Sequence, residues 1–225
     1  MNSLSPFLDY LARSAKDWEK LPSLSELSRC LGISTASLRE QLEVARSQGW
    51  VDVRPKTGIR RIPYCFKNTL SQSVTYGNLV NPDLFNHFSD LRKHIETSYW
   101  FQAVNCLASV EINTLEELVN SADSKLSRNP VQIPHFEHRQ LHMTIYKNLN
   151  NPVVVDLLDV YWDLYELVGY SLYTDYEYLK NVWKYHRKIV ESLKQQEYHL
   201  GYQALVEHMD LLALREITTK PNHFE

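Results

Sequence analysis

The chain has 225 residues, 44% of them hydrophobic and 12% aromatic, and its 24 Lys/Arg against 27 Asp/Glu give a net charge of -3. That length suits one large domain or two modest ones, and the overall charge is not by itself a nucleic-acid signature. No N-terminal apolar run resembles a secretory signal and no stretch approaches a membrane span. Cys30, Cys65 and Cys106 show no paired spacing, so a reducing, cytoplasmic setting without a membrane partner is expected.

Taken in chain order, the first informative segment begins at Leu21-Pro22-Ser23. Ser23 followed by Glu26 fits a capping box, after which Leu24, Leu27 and Leu31 fall on one helical stripe. Gly32 suits the positive φ of a turn, and Ser34 is a good N-cap for a second helix carrying Leu38, Leu42 and Ala45. Gly49 is a plausible stop. Trp50, Val51 and Val53 suit a strand, Pro55 to Gly58 its turn, and Ile59 and Ile62 the return. This order is that of a winged helix-turn-helix. Ser23, Ser34, Thr35, Ser37 and Arg39 are then candidates to face DNA from the two helices, and Arg54, Lys56 and Gly58 from the wing. A small structural bundle is the other reading of the helix pair. Crowding of Arg54, Lys56, Arg60 and Arg61 on one short hairpin weighs against it, because backbone phosphates would want those charges.

Leu21-Pro22-Ser23, Glu26-Leu27, Leu31-Gly32-Ile33-Ser34, Leu38-Arg39-Glu40, Gly49-Trp50-Val51, Arg54-Pro55 and Gly58 together resemble the DNA-binding domain of the GntR family over roughly residues 5 to 63. Two positions depart from the family pattern. Ser25 and Thr35 stand where arginines that contact the operator are usual, so Arg39 is the one recognition-helix arginine retained.

Charge divides in the same way. Residues 1–65 carry 10 Lys/Arg against 7 Asp/Glu, leaving 14 against 20 for the remainder, a mildly basic head on an acidic body. The expected organisation is a DNA-binding domain at 1–65, a linker at 66–79 that is polar and interrupted by Gly77, and an all-α domain at 80–225. Pro82-Asp83 reads as a helix start, with Leu84, Phe88, Leu91 and Ile95 as its stripe. Thr114 and Glu117 read as a capping box, and later helices are expected at about 134–149, 151–170, 175–197 and 199–217, a bundle of six or seven helices.

The chemistry of this second part lies in its histidines. His138 and His142 are four apart and share a face with Leu141, Ile145 and Leu149. His186 sits in a stripe with Val182, Ile189 and Leu193, and His208 with Ala204, Leu205 and Leu212. His135, His199 and His223 read as loop or helix-end residues. Four imidazoles aimed inward could hold a divalent metal, and each could equally be a core histidine bonded to a carbonyl. Arg92 and Glu96, also four apart, read either as an inward Arg92 able to meet a carboxylate or as a plain intrahelical ion pair. Tyr161, Trp162, Tyr165, Tyr170, Tyr173, Tyr176, Tyr178 and Trp183 form a dense aromatic run suited to a core, a dimer surface or a pocket lining.

Residues of about 80–217 resemble the all-helical FCD effector domain of the FadR subgroup of GntR regulators. The resemblance rests on Phe136-Glu137-His138-Arg139-Gln140-Leu141-His142, His186-Arg187-Lys188-Ile189 and His208-Met209. It implies one metal on His138, His142, His186 and His208, with Arg92 at an effector. His138 stands where the family normally has aspartate, and Glu137, about 100° around the helix, is a substitute candidate. Four neutral imidazoles favour zinc or nickel over manganese or magnesium.

The expected function is a DNA-binding transcriptional regulator, a repressor, controlled by a small carboxylate effector near the metal. It is expected to be a homodimer on an inverted-repeat operator, because one recognition helix reads only a few base pairs. A metal-independent acyl-CoA or small-molecule sensor is the alternative. A metal-dependent hydrolase ranks last and no enzyme activity is expected, since no acidic residue reads as its general base and the head has no place in it.

Overall fold

The head is built by local hydrogen bonds that the sequence encodes directly. In the computed structural model, which describes residues 4–14, 16–168 and 176–219 with side chains as far as residue 211, the chain divides into two units, residues 1–73 and 74–225. The side chain of Leu212, and Tyr170, Tyr173 and His223, lie outside the described residues. In the first unit, α1 (Pro6–Arg13), α2 (Leu24–Leu31) and α3 (Thr35–Ser47) precede a hairpin of β1 (Val51–Arg54) and β2 (Gly58–Arg61). The strands are antiparallel, with Val51 opposite Arg61 and Arg54 opposite Gly58.

Each turn of this unit has a local cause. The Glu26 N–H donates to Ser23 Oγ at 3.3 Å while the Ser23 N–H donates to Glu26 Oε2 at 2.9 Å, a reciprocal cap that opens α2. Gly32 closes it at φ 65°, where a Cβ would be strained. Ser34 Oγ then accepts from the Ser37 N–H at 3.2 Å and starts α3. Phe7, Leu11, Leu21, Leu27, Leu38, Leu42, Ala45, Val51 and Ile59 bury together, so three helices and the wing share one core.

The expected linker is a helix. α4 (Phe66–Val80) buries none of its residues, and the boundary between units falls within it. Its first turns belong to the head: Gln72 Nε2 donates to the Ser47 carbonyl at 2.7 Å, and Asn68 packs at Gly49. Polar composition concealed it, because a weakly amphipathic helix and a solvated loop have similar residue content.

The second unit is an all-α bundle of α5 (Leu84–Val104), α6 (Ser109–Leu126), α7 (His135–Tyr146), α8 (Pro152–Leu167), α9 (Tyr176–Lys194) and α10 (Tyr198–Thr219), with the end of α4. Helix α6 starts five residues before the expected Thr114. Glu111 Oε2 accepts the Ala108 N–H at 3.0 Å, and Thr114 instead bonds back to the Val110 carbonyl within the helix. Helix α5 is also turned from its expected stripe. Leu91 is exposed, and the buried face is Phe85, Phe88, Arg92, Glu96, Trp100 and Ala103. Two charged residues therefore face the bundle interior.

α9 packs on α6 and α10, α5 on α7, α8 and α10, and α7 on α6 and α8. Trp100 on α5 donates Nε1–H to the Tyr198 carbonyl at 2.9 Å and lies against Gly201, where an added Cβ would come within 2.8 Å of its ring. That close approach seats α10 two turns ahead of His208. Substitution Leu38→Ala, at a fully buried position beneath α3, is expected to cost about 2–5 kcal/mol in the unfolding of the first unit, read by urea denaturation.

Candidate metal centre and nucleic-acid interface

Helical spacing delivers the histidines. His138 and His142 lie one turn apart on α7, His186 on α9 and His208 on α10, and their ligating atoms all fall within 4.8 Å of one another. The Nε2 atoms of His142 and His186 are 3.2 Å apart, as are those of His186 and His208. Nitrogens bound tetrahedrally at about 2.0–2.1 Å would stand about 3.3 Å apart. His142, His186 and His208 are buried, and the half-buried His138 has a buried Nε2 with no partner among the described residues.

Glu96 and Arg92 complete the centre from α5. Glu96, fully buried, accepts from Arg92 Nε at 2.6 Å and from His142 Nδ1 at 2.8 Å. Burial raises the Glu96 pKa and the Arg92 guanidinium opposes it. Paired with that cation as a carboxylate, Glu96 can only accept, which assigns the His142 proton to Nδ1 and leaves Nε2 as a lone pair. Tyr146 OH donates to the Glu96 carbonyl at 2.8 Å and holds that turn of α5. Arg92 Nη2 lies 3.1 Å from each ring nitrogen of His142, and the guanidinium carbon sits 4.7 Å from the Tyr161 ring centre and 4.6 Å from that of Trp162.

The electrostatics suit neutral imidazoles. Burial pushes His138, His142, His186 and His208 well below the usual histidine range. Neighbouring imidazoles add to this at His138, His186 and His208, Arg92 pushes all four the same way, and Glu96 opposes it at His208. Burial disfavours the charge on Arg92, yet Glu96 and Tyr161 hold its pKa above the ordinary value. The residues present therefore fit a soft divalent ion: converging uncharged donors, one carboxylate-fixed tautomer and an orphaned buried nitrogen.

Glu137 is not part of this set. It points to α6, where it pairs with Lys125 at 2.7 Å and accepts from Ser121. His135 begins α7 and His199 lies in the first turn of α10 against Phe101. Sequence reasoning missed Glu96 as the partner of His142. The signal was present in the spacing of Phe85, Phe88, Arg92, Glu96 and Trp100, which reads as one face once charged residues are admitted to it.

In the head, Ser23 and Ser34 serve as caps, and the half-buried Ser37 accepts from Gln41 Nε2. Thr35 and Arg39 are exposed on the first turns of α3, and Arg39 has no partner among the described residues. The wing is less uniformly free than its composition suggests. Arg54 pairs with Asp52 at 2.7 Å, Arg60 donates to the Trp18 carbonyl at 3.0 Å, and Arg61 lies 3.6 Å from Asp17. Lys56, at φ 70° in the tip, has no partner among the described residues, and Gly58 follows at φ 88°. The exposed Arg54 pair is weak enough for a phosphate to replace.

The family described as the FCD domain matches residues 87–211. Among solved structures, a GntR protein of Streptococcus agalactiae is similar at 17% identity and a TM-score of 0.61, covering 93% of this chain and 95% of its own. McbR/YncC of E. coli is similar at 18% identity and a TM-score of 0.50, covering 97% and 100%. These likenesses establish a shared fold. No curated protein matches the chain. Among the described residues no helix is long and apolar enough to cross a membrane.

Two outcomes follow from the geometry. Glu96→Leu leaves Arg92 a buried unpaired cation and is expected to cost about 3–5 kcal/mol, most of it recovered in Arg92→Met/Glu96→Leu, both read by chemical denaturation. In metal-free protein the unfolded chain takes up protons on these histidines near about pH 6.5, whereas the folded chain does not. Their contribution is thus present above that pH and lost as pH falls, so the urea midpoint should drop between about pH 7.5 and about pH 5.5.

Proposed function

Because the chain belongs to the FCD-domain family, we propose that it is a DNA-binding transcriptional regulator of the GntR type whose helical unit holds one divalent metal on His138, His142, His186 and His208. The observation that carries the metal reading is the convergence of three Nε2 atoms 3.2 Å apart in succession, with His142 held in the ligating tautomer by Glu96. Zinc or nickel is the ion that this imidazole set favours, and it would supply a positive centre for a water or anionic oxygen. The placement in the FadR subgroup and action as a repressor belong to the same proposal.

Arg39 and Thr35 would read base edges from α3, while Lys56 and, once released from Asp52, Arg54 would meet phosphates. At the N-termini of α2 and α3, first-turn N–H groups left over by the Ser23 and Ser34 caps would suit phosphate contact. Two copies on an inverted repeat follow from the reach of one recognition helix. The domains proposed are the DNA-binding head at 1–65, the connecting segment 66–79 and the helical effector domain from residue 80.

A small carboxylate effector at Arg92 would have to share that guanidinium with Glu96 and His142. Metal-independent sensing of an acyl group is the competing reading. It makes the four histidines polar lining only.

Elemental analysis of untagged protein should find one zinc or nickel per chain, lost in His142→Ala and His208→Ala. Wild-type protein that stays metal-free after supplementation would leave the metal-independent reading. On selected DNA duplexes, Arg39→Ala should cost about 1–3 kcal/mol and relax base preference if it contacts guanine. Lys56→Ala should weaken all sequences alike and reduce the salt slope by about one.

A further inference from the structure

Four imidazoles supply as many donors as a closed tetrahedral site takes, whereas a centre that exchanges an organic ligand keeps a position open. Arg92, the cation that an anionic ligand would need, is engaged along its whole guanidinium. Its Nε bonds Glu96, its Nη2 faces His142, its Nη1 is 3.4 Å from Tyr161 OH, and its plane is held at the Tyr161 and Trp162 rings. Among the described residues, a cleft that reaches His138, between Pro134, Tyr165, Tyr178, Leu179 and Trp183, measures about 10 Å³, room for about one water.

We propose that the metal ion is itself the signal: His138, His142, His186 and His208 close a four-coordinate site from the protein alone, and its occupancy by a soft divalent cation sets DNA affinity without an organic co-ligand. This rests on the metal reading above and names what that site responds to. The donors come from α7, α9 and α10, and donors within 4.8 Å need shifts on the order of 1 Å to reach tetrahedral spacing. His138 is the residue that makes the difference. Without it three imidazoles would leave a position for water or a carboxylate, and with it the shell is complete. The cation changes DNA affinity only as far as these histidines are spaced differently in the two DNA-affinity states.

The test uses the untagged full chain, stripped of metal, with cobalt(II) as a spectroscopic probe. One equivalent should bind and give the intense visible absorption of four-coordinate cobalt, unchanged by excess acetate or malonate. His138→Ala should weaken that absorption and make it respond to acetate. In parallel, the chain is offered duplexes captured from a random library by its metal-free and zinc-loaded forms. Zinc alone should change affinity roughly tenfold, within the usual range of allosteric coupling. Absence of bound cobalt and zinc would overturn the metal reading and this inference with it. Bound cobalt with a weak five- or six-coordinate spectrum, or a wild-type spectrum that acetate alters, would overturn closure alone. DNA affinity indifferent to zinc but shifted by an added carboxylate would overturn the metal as signal.

Discussion

Polar nitrogen buried in an apolar bundle sets the terms for the second unit. The imidazoles of His142, His186 and His208, a guanidinium and a carboxylate are buried with Trp100, Leu141, Ile145, Tyr161, Trp162, Ile189 and Leu205, out of reach of bulk water, and the half-buried His138 joins them. An unpartnered polar group in such a place costs about 1–3 kcal/mol, and an unpaired charge several times more. The arrangement answers this in part by pairing several of these groups with one another. Glu96 satisfies Arg92 and His142 together, His142 Nε2 faces His186, and His186 faces His208. What is left over is instructive. His138 Nε2, His186 Nδ1 and His208 Nδ1 have no partner among the described residues, so the network balances only in part within the protein.

The rest of the bundle is shaped to keep that network together. Helix α5 gives up two positions of its buried face to charge, and compensates with Phe85 and Phe88 on one side and Trp100 and Ala103 on the other. Tyr146, on the same helix as His142, reaches back to the backbone of Glu96, so the carboxylate and its imidazole are held from both ends. Gly201 lets the Trp100 ring lie against α10, and the indole hydrogen bond to Tyr198 fixes the level at which that helix starts. A larger residue at Gly201 would displace the helix that carries His208.

The elements legible in the sequence are those whose cause is local. Ser23 with Glu26, Gly32 and Ser34 fix α2, the turn and α3 through hydrogen bonds spanning three or four residues, so residue type and spacing suffice. The inward aim of His142, His186 and His208 is legible for a related reason, since each shares a helical period with aliphatic neighbours. Of the features not legible, the roles of Glu96, Arg60 and Arg61 depend on distant partners, whereas Arg54 and the start of α6 depend on near ones that lack a usual signature. Glu96 looks like one half of a plain intrahelical pair with Arg92 until α7 is placed beside it. Arg54, Arg60 and Arg61 look equally free until Asp52, Trp18 and Asp17 are seen to hold them. The start of α6 was hidden because its cap is a backbone N–H to a glutamate, with no polar residue at the position before the helix.

The indoles around the histidine cluster have a consequence of another kind. Trp162 lies 4.7 Å from the His138 ring and 5.2 Å from that of His142, and Trp183 lies 4.7 Å from His186. Both are buried, so their excited states sense the local field rather than bulk water. An imidazole drained of electron density is a better acceptor for an excited indole than a neutral ring. Any event that polarises His138 or His186 is therefore written into the emission of two tryptophans held within van der Waals range, and the molecule carries its own optical reporter of its centre.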